Sequence, residues 1–318
     1  MMTPEAALVV GCGVSGLTCA VRLLEEGRPV AIQARDLPPH TTSDVAAAFW
    51  YPYRAYPRER VIRWARSSFE RFGELADDAA TGIVVRPAIE VFRHAAPDPW
   101  WGPALPRWRH ARPEELPDGY VDGYRFEAPV VDTRRYLPWL MGRVVELGGS
   151  IERRELTAID EALAGHDLAI NCSGLGAREL IGDTELVPIR GQVVRVEDPG
   201  LEMVEIDHDS PGGVSYVIPR GDDCVLGGSA EEGREDTDLD PATAEAILDR
   251  CRRLQPRLAA AAPCGGAAGL RPGRSEVRLE AERPLPGKLL VHNYGHGGAG
   301  VTLSWGCAEE VLELVNAG

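Results

Sequence analysis

The residues of this chain best placed to do chemistry begin with Gly11-Cys-Gly13-Val-Ser-Gly16. That spacing suits a turn carrying a dinucleotide pyrophosphate. Gly11 permits the tight bend, Gly13 lets the phosphates approach the backbone, and Gly16 allows close packing of helix on strand. Val14 and Ser15 open a helix that aims free N–H groups at the phosphates. A second glycine loop, at 295–300, precedes the last helix, which presents its positive end there.

Other candidates carry less. His292 and His296 have the spacing of a helical metal pair, but Asn-Tyr-Gly between them is loop chemistry. With no third ligand, no metal site is expected. Asp207, His208 and Asp209 have the types for acid–base work but read as a polar turn, and no catalytic role is assigned to them. The seven cysteines show neither CxxC nor zinc-like spacing. Their odd number favours free thiols, with a Cys224–Cys264 bridge left open.

The elements that must hold these residues follow from periodicity. Residues 6–10 read as a buried strand, and a helix follows with Leu17, Ala20, Val21, Leu23 and Leu24 on one face. The helix stops at Gly27 and residues 29–34 return to strand, completing a βαβ unit. Its second strand ends at Arg35 and Asp36. Asp36 is the usual acidic partner of a ribose, Arg35 is a rival for ribose or phosphate, and the glycines alone do not separate NAD from FAD. Residues 50–130 hold many prolines and five of the seven tryptophans, which reads as an insertion of short strands and loops. A helix is expected up to Leu147, starting near Tyr136 or kinked at Pro138. Strands are expected near 151–156 and 167–171, an antiparallel set over 186–228, and a helix after Asp240-Pro241. The acidic run 231–240 reads as a solvated loop. The predicted fold is α/β, a Rossmann-like dinucleotide domain interleaved with a mainly antiparallel substrate domain. The first is assigned residues 1–50, 150–185 and 268–318, the second 51–149 and 186–267.

Composition narrows the function. The 318 residues are 44% hydrophobic and carry a formal net charge of -15. An acidic chain lacks the basic face that nucleic acid or an anionic membrane would need. No apolar run reaches membrane-spanning length, and a cytoplasmic location is expected.

Three longer stretches closely resemble the D-amino-acid oxidase family. They are Thr41-Thr-Ser-Asp-Val-Ala-Ala-Ala-Phe-Trp50, Gly269-Leu-Arg-Pro272 and Val291-His-Asn-Tyr-Gly-His-Gly-Gly-Ala-Gly-Val-Thr302. Asn171-Cys-Ser-Gly174 and Arg190-Gly-Gln192 also resemble its flavin domain, and the matches keep their order along nearly the whole chain. The resemblance implies non-covalent FAD. It places Thr41, Thr42 and Ser43 on the pyrophosphate and ribityl chain, and Ala47, Ala48 and Phe49 near the isoalloxazine. Leu156 falls at the adenine, Ser173 at another FAD contact, and Gly297, Gly298, Gly300, Val301 and Thr302 along the pyrimidine edge. It further implies that Arg271 and Tyr216 hold a substrate carboxylate while the Gly298 carbonyl accepts from the amine. The implied reaction moves hydride from Cα of a D-amino acid to flavin N5, with O₂ as final acceptor and hydrogen peroxide as product. A glycine or secondary-amine oxidase, a D-aspartate oxidase, or a dehydrogenase with another acceptor remain the alternatives, and a homodimer is left open.

Two local features bear on the substrate. The stretch 208–216 looks short, with Gly212 where relatives place a second lid tyrosine. Relatives that act on D-aspartate set an arginine after a Gly-Gly-Ser/Thr turn, whereas here Gly227-Gly228-Ser229 is followed by Ala230, Glu231 and Glu232. Arg220 is the one nearby residue that could answer an acidic side chain, but it reads as a solvated turn residue. With Phe49, Tyr51 and Ile218 as expected walls, a neutral side chain is predicted.

Overall fold

The computed structural model describes residues 6–317, which contain fifteen strands and seven α-helices. In chain order these are β1 Ala7–Val10, α1 Val14–Glu25, β2 Val30–Ala34, α2 Arg58–Leu75, β3 Ile83–Phe92, β4 Trp108–His110 and β5 Asp122–Val131. There follow α3 Thr133–Glu146, β6 Ser150–Arg153, α4 Ile159–Gly165, β7 Leu168–Asn171, α5 Ala177–Leu180 and β8 Val187–Glu197. The remainder comprises β9 Val204–Asp207, β10 Ser215–Pro219, β11 Asp223–Gly227, β12 Glu231–Glu232, α6 Pro241–Leu254, β13 Pro263–Gly273, β14 Arg278–Glu282, β15 Leu289–Tyr294 and α7 Gly300–Ala317.

Continuous apolar stretches form the first sheet, in the order β14-β15-β7-β1-β2-β6. All its pairings are parallel except β14 with β15. β1, β7 and β15 are buried along their whole length, as strands covered by helices on both faces must be. The apolar stripe of α1 read from the sequence is wholly buried. Thr18 ties α1 to α7 by donating to the Ser304 carbonyl.

The second sheet has nine strands, in the order β12-β8-β11-β10-β9-β3-β5-β4 with β13 also on β8. Only the β3–β9 pair is parallel. The long β8 is its spine, pairing with β11, β12 and β13. The fold is thus the mixed α/β arrangement that the periodicity predicted.

Three readings need correction. The third helix starts at Thr133, capped by Asp132, a turn before the expected Tyr136, and Pro138 lies inside it, where the Arg134 carbonyl is left without its usual i+4 donor. The acidic run 231–240 is not simply solvated. It wraps the fully buried Arg190, whose guanidinium donates to Glu231 at 2.7 Å, to the Asp236 carbonyl at 3.1 Å and to the Asp238 carbonyl. The Arg220 side chain is only 4% exposed, gripped by Asp223 through two 2.8 Å hydrogen bonds. All seven cysteines are free, with Cys224 buried and Cys264 exposed.

Candidate active site

A cavity of about 1060 Å³ runs from the first glycine turn to Arg271 on β13 and Tyr216 on β10. At its first end β1 turns into α1. Gly11 has φ +112°, and a Cβ there would lie 2.5 Å from the Cys172 carbonyl oxygen, so the turn admits only glycine. Gly16 alone among the expected site residues does not line the cavity. It packs against Gly11, whose oxygen a Cβ would meet at 2.0 Å, and its task is to bring helix to strand. Gly13, Val14 and Ser15 form the rim, and Ser43 accepts from the Val14 N–H at 3.0 Å. Arg35 and Asp36 both face the cavity and pair with each other at 2.8 Å.

Thr41, Thr42 and Ser43 line the middle, where Asp44 caps the turn by accepting from the Thr41 N–H at 2.8 Å. The chain then passes Ala47, Ala48 and Phe49. Ala48 sits at φ 53°, held there as its carbonyl accepts from Val131 at 2.8 Å. Leu156, Ser173, Gly297, Gly298, Gly300, Val301 and Thr302 complete the lining. Of these, Gly300, Val301 and Thr302 begin α7, whose first N–H groups have no intrahelical partner. His296 is not a metal ligand in waiting. It is bonded to Asn293 at 3.0 Å, and burial pushes it down to about 4.

Two helix N-termini, a glycine turn that admits close approach to the backbone, the hydroxyls of Thr41, Thr42 and Ser43, and the small apolar Ala47 and Ala48 make a trough suited to a dinucleotide with a flat ring system. The residues present therefore fit FAD.

At the inner end the backbone of Gly298 lies between Tyr53 and Arg271. A Cβ there would meet Tyr53 at 2.9 Å and Arg271 Cδ at 3.6 Å. Arg271 lies flat across Gly191 and donates to the Ser229 carbonyl at 3.0 Å. Among the described residues no carboxylate pairs with it. Tyr216 folds over the Gly227-Gly228 backbone. Burial holds its hydroxyl above the ordinary phenol range, while the nearby Arg271 charge opposes the rise.

Two side chains in this wall escaped the sequence reading. His208, read as part of a polar turn, stacks on Tyr53 with ring centroids 5.6 Å apart and planes at 5°. Both face the cavity, and burial lowers the histidine's proton affinity. Asp207 is taken up by Arg93 at 2.8 Å and Tyr120 at 2.6 Å, away from the cavity.

The family model for FAD dependent oxidoreductases matches residues 6–314. The chain belongs to that family. FAD is accordingly its cofactor, and the chain is a flavoprotein oxidoreductase. It is 54% identical to a D-amino-acid oxidase of Rubrobacter xylanophilus, over 98% of this chain and 96% of the relative. It is also 34% identical to human D-aspartate oxidase, over 97% of this chain and 94% of that protein. The solved glycine oxidase of Geobacillus kaustophilus shares the fold, with a TM-score of 0.81 at 17% identity, covering 99% of this chain and 95% of the other.

Proposed function

We propose that this flavoprotein oxidises neutral D-amino acids. The balanced reaction converts a D-amino acid, O₂ and water to an α-keto acid, ammonia and hydrogen peroxide. The observation that carries this reading is Arg271, a guanidinium set in the cavity wall without a carboxylate partner among the described residues. A planar fork held at one edge by Ser229 leaves its other N–H groups for a carboxylate of the substrate. Tyr216 adds a hydroxyl donor to the same group. The Gly298 carbonyl accepts from the substrate amine, and the two anchors fix which face of Cα points along the cavity. Bound FAD supplies the two-electron acceptor and returns the electrons to oxygen. Tyr53, His208 and Phe49 exclude water from the inner end, and a dry pocket strengthens the carboxylate clamp.

The D configuration and the use of O₂ draw support from the relative that shares 54% identity. Non-covalent attachment of FAD is supported by the state of the cavity thiols. Burial pushes Cys12 up to about 12, which leaves it a poor nucleophile. Free thiols throughout and no helix long and apolar enough to cross a membrane among the described residues support a cytoplasmic setting.

The test is anaerobic mixing with D-alanine, D-methionine, their L isomers, glycine and sarcosine, followed by admission of air. Bleaching by the D isomers, with peroxide on reoxidation, is the expected result. Bleaching by sarcosine or glycine alone would replace this reading with a secondary-amine oxidase.

A further inference from the structure

Behind the wall that Tyr51 and His208 present to the cavity lies a carboxyl group for which the proposed reaction has no use. Glu90, within β3, is only 3% exposed. Its Oε1 accepts the Tyr51 hydroxyl at 2.9 Å and stands 3.4 Å from His208 Nε2. Its Oε2 is buried without a hydrogen-bond partner. The pairing of β3 with β5 and β9 sets Glu90 beside Tyr124 and Ile206. The charged and titratable groups around it are Tyr51 and Arg54 from the segment before α2, Tyr124 from β5, and Asp207, His208 and Asp209 at the end of β9. Asp207 is satisfied by Arg93 and Tyr120, and Asp209 pairs with His94 at 3.5 Å. Among the described residues no arginine or lysine pairs with Glu90.

A buried carboxyl without a cationic partner is costly to ionise. A glutamine would accept the Tyr51 hydroxyl equally well. What glutamate adds is a latent negative charge, one side chain away from where the substrate's own side chain must lie.

We propose that Glu90 is a specificity-determining residue that reads the charge of the substrate side chain through the Tyr51–His208 wall. When ionised, it favours a cationic D-amino acid over a neutral one of the same shape. The inference rests on the D-amino-acid reading of the cavity. Burial pushes Glu90 up to about 8, against the hydrogen bond from Tyr51 and with an addition from Asp209. His208 is held towards its neutral form by burial and does not cancel the new charge. The wall is therefore uncharged at neutral pH and becomes anionic in mild alkali.

D-Arginine and D-citrulline are the probes, because they differ in charge while sharing length, shape and the α-amino acid core. Their ratio of kcat/KM removes titrations common to both. The guanidinium stays charged throughout. The ratio should rise roughly fivefold or more between about pH 6.5 and 9.5. In Glu90→Gln it should stay flat. Tyr51→Phe keeps the carboxyl but removes the hydrogen bond that eases its ionisation, so the rise should move to higher pH. A residue that merely supports the fold would not shift that profile, and the tyrosine variant decides the matter if Glu90→Gln does not fold. A flat ratio in the native enzyme, a rise that persists in Glu90→Gln, or no turnover of either probe overturns the proposal. D-Methionine is assayed alongside. If it is oxidised while the ratio is flat, only the role of Glu90 falls; if it is not, the reading of the cavity itself falls.

Discussion

Thr302 Oγ1 donates to the carbonyl of Tyr51 and accepts from its N–H, both at 3.1 Å. One hydroxyl therefore joins the start of α7 to the segment 47–51, and both line the cavity. Thr302→Val keeps the shape and leaves the Tyr51 N–H unpaired, while the Tyr51 carbonyl still accepts from the Tyr53 N–H at 2.8 Å. The expected cost is about 1–3 kcal/mol. Thermal denaturation of the apoprotein should show a lower Tm, and fluorescence titration should show weaker FAD binding. Thr302→Ser should restore both.

Gly191→Ala separates the clamp from the cofactor site. The new methyl would lie 2.1 Å from Arg271 Nη1, but that atom ends a flexible side chain, so the guanidinium moves and the fold stays. FAD affinity should be native while kcat/KM falls roughly ten- to hundredfold, the scale of a lost charge-assisted hydrogen bond. Arg271→Ala should fall at least as far. Gly11→Ala should behave differently, since its methyl meets the Cys172 backbone at 2.5 Å and cannot be relieved cheaply. A Gly191→Ala enzyme with native kinetics would show that Arg271 grips nothing.

These two sites also show what was legible in the sequence. The Gly11 turn could be read because a tight bend and close helix packing each demand glycine at a fixed spacing. Arg271 has no such local constraint, and only the resemblance of its neighbourhood singled it out. Glu90 was not legible at all, since a glutamate within a strand pattern reads as its solvent face. The parallel pairing of β3 with β9, about 115 residues away in the chain, puts it behind His208. Arg190 and Arg220 were hidden for the same reason. Arg220 has a local partner in Asp223, but its second, Asp132 at 3.6 Å, comes from a distant segment, and turn chemistry read locally does not supply it.

The choice between neutral and acidic substrates turns on Ala230, Glu231 and Arg220. Human D-aspartate oxidase matches nearly the whole chain, so overall similarity does not decide it. Ala230 lines the cavity and brings no charge. Glu231 is turned towards Arg190 at 2.7 Å and Arg234 at 2.6 Å. Arg220 is neutralised by Asp223 and does not line the cavity. A second substrate carboxylate would be buried without a partner, at a cost on the order of several kcal/mol. The expected kcat/KM for D-aspartate is therefore roughly a hundredfold or more below that for D-methionine at pH 7.5. A D-aspartate value equal to or above it would place a cation in the pocket that the side-chain geometry does not provide.

Glu90 also leaves a signature in stability that requires no substrate. Its folded pKa is raised to about 8, whereas in the unfolded chain a glutamate titrates near 4.3. Below the lower value both states carry the proton and the group contributes nothing to pH dependence. Between the two, the folded protein holds a proton that the unfolded chain has released. Stability from this group therefore falls as pH rises through the window and levels off above about 8. Glu90→Gln removes the dependence while preserving an acceptor for Tyr51. The variant should match the native protein in chemical denaturation at about pH 4.5 and exceed it by on the order of 2–4 kcal/mol at about pH 8.5. The upper end applies if the pocket stays dry on ionisation, and water entry would lower it. A difference that is constant across this range would mean that Glu90 is ionised in the folded protein at every pH tested, and that Tyr51 and His208 already stabilise its charge.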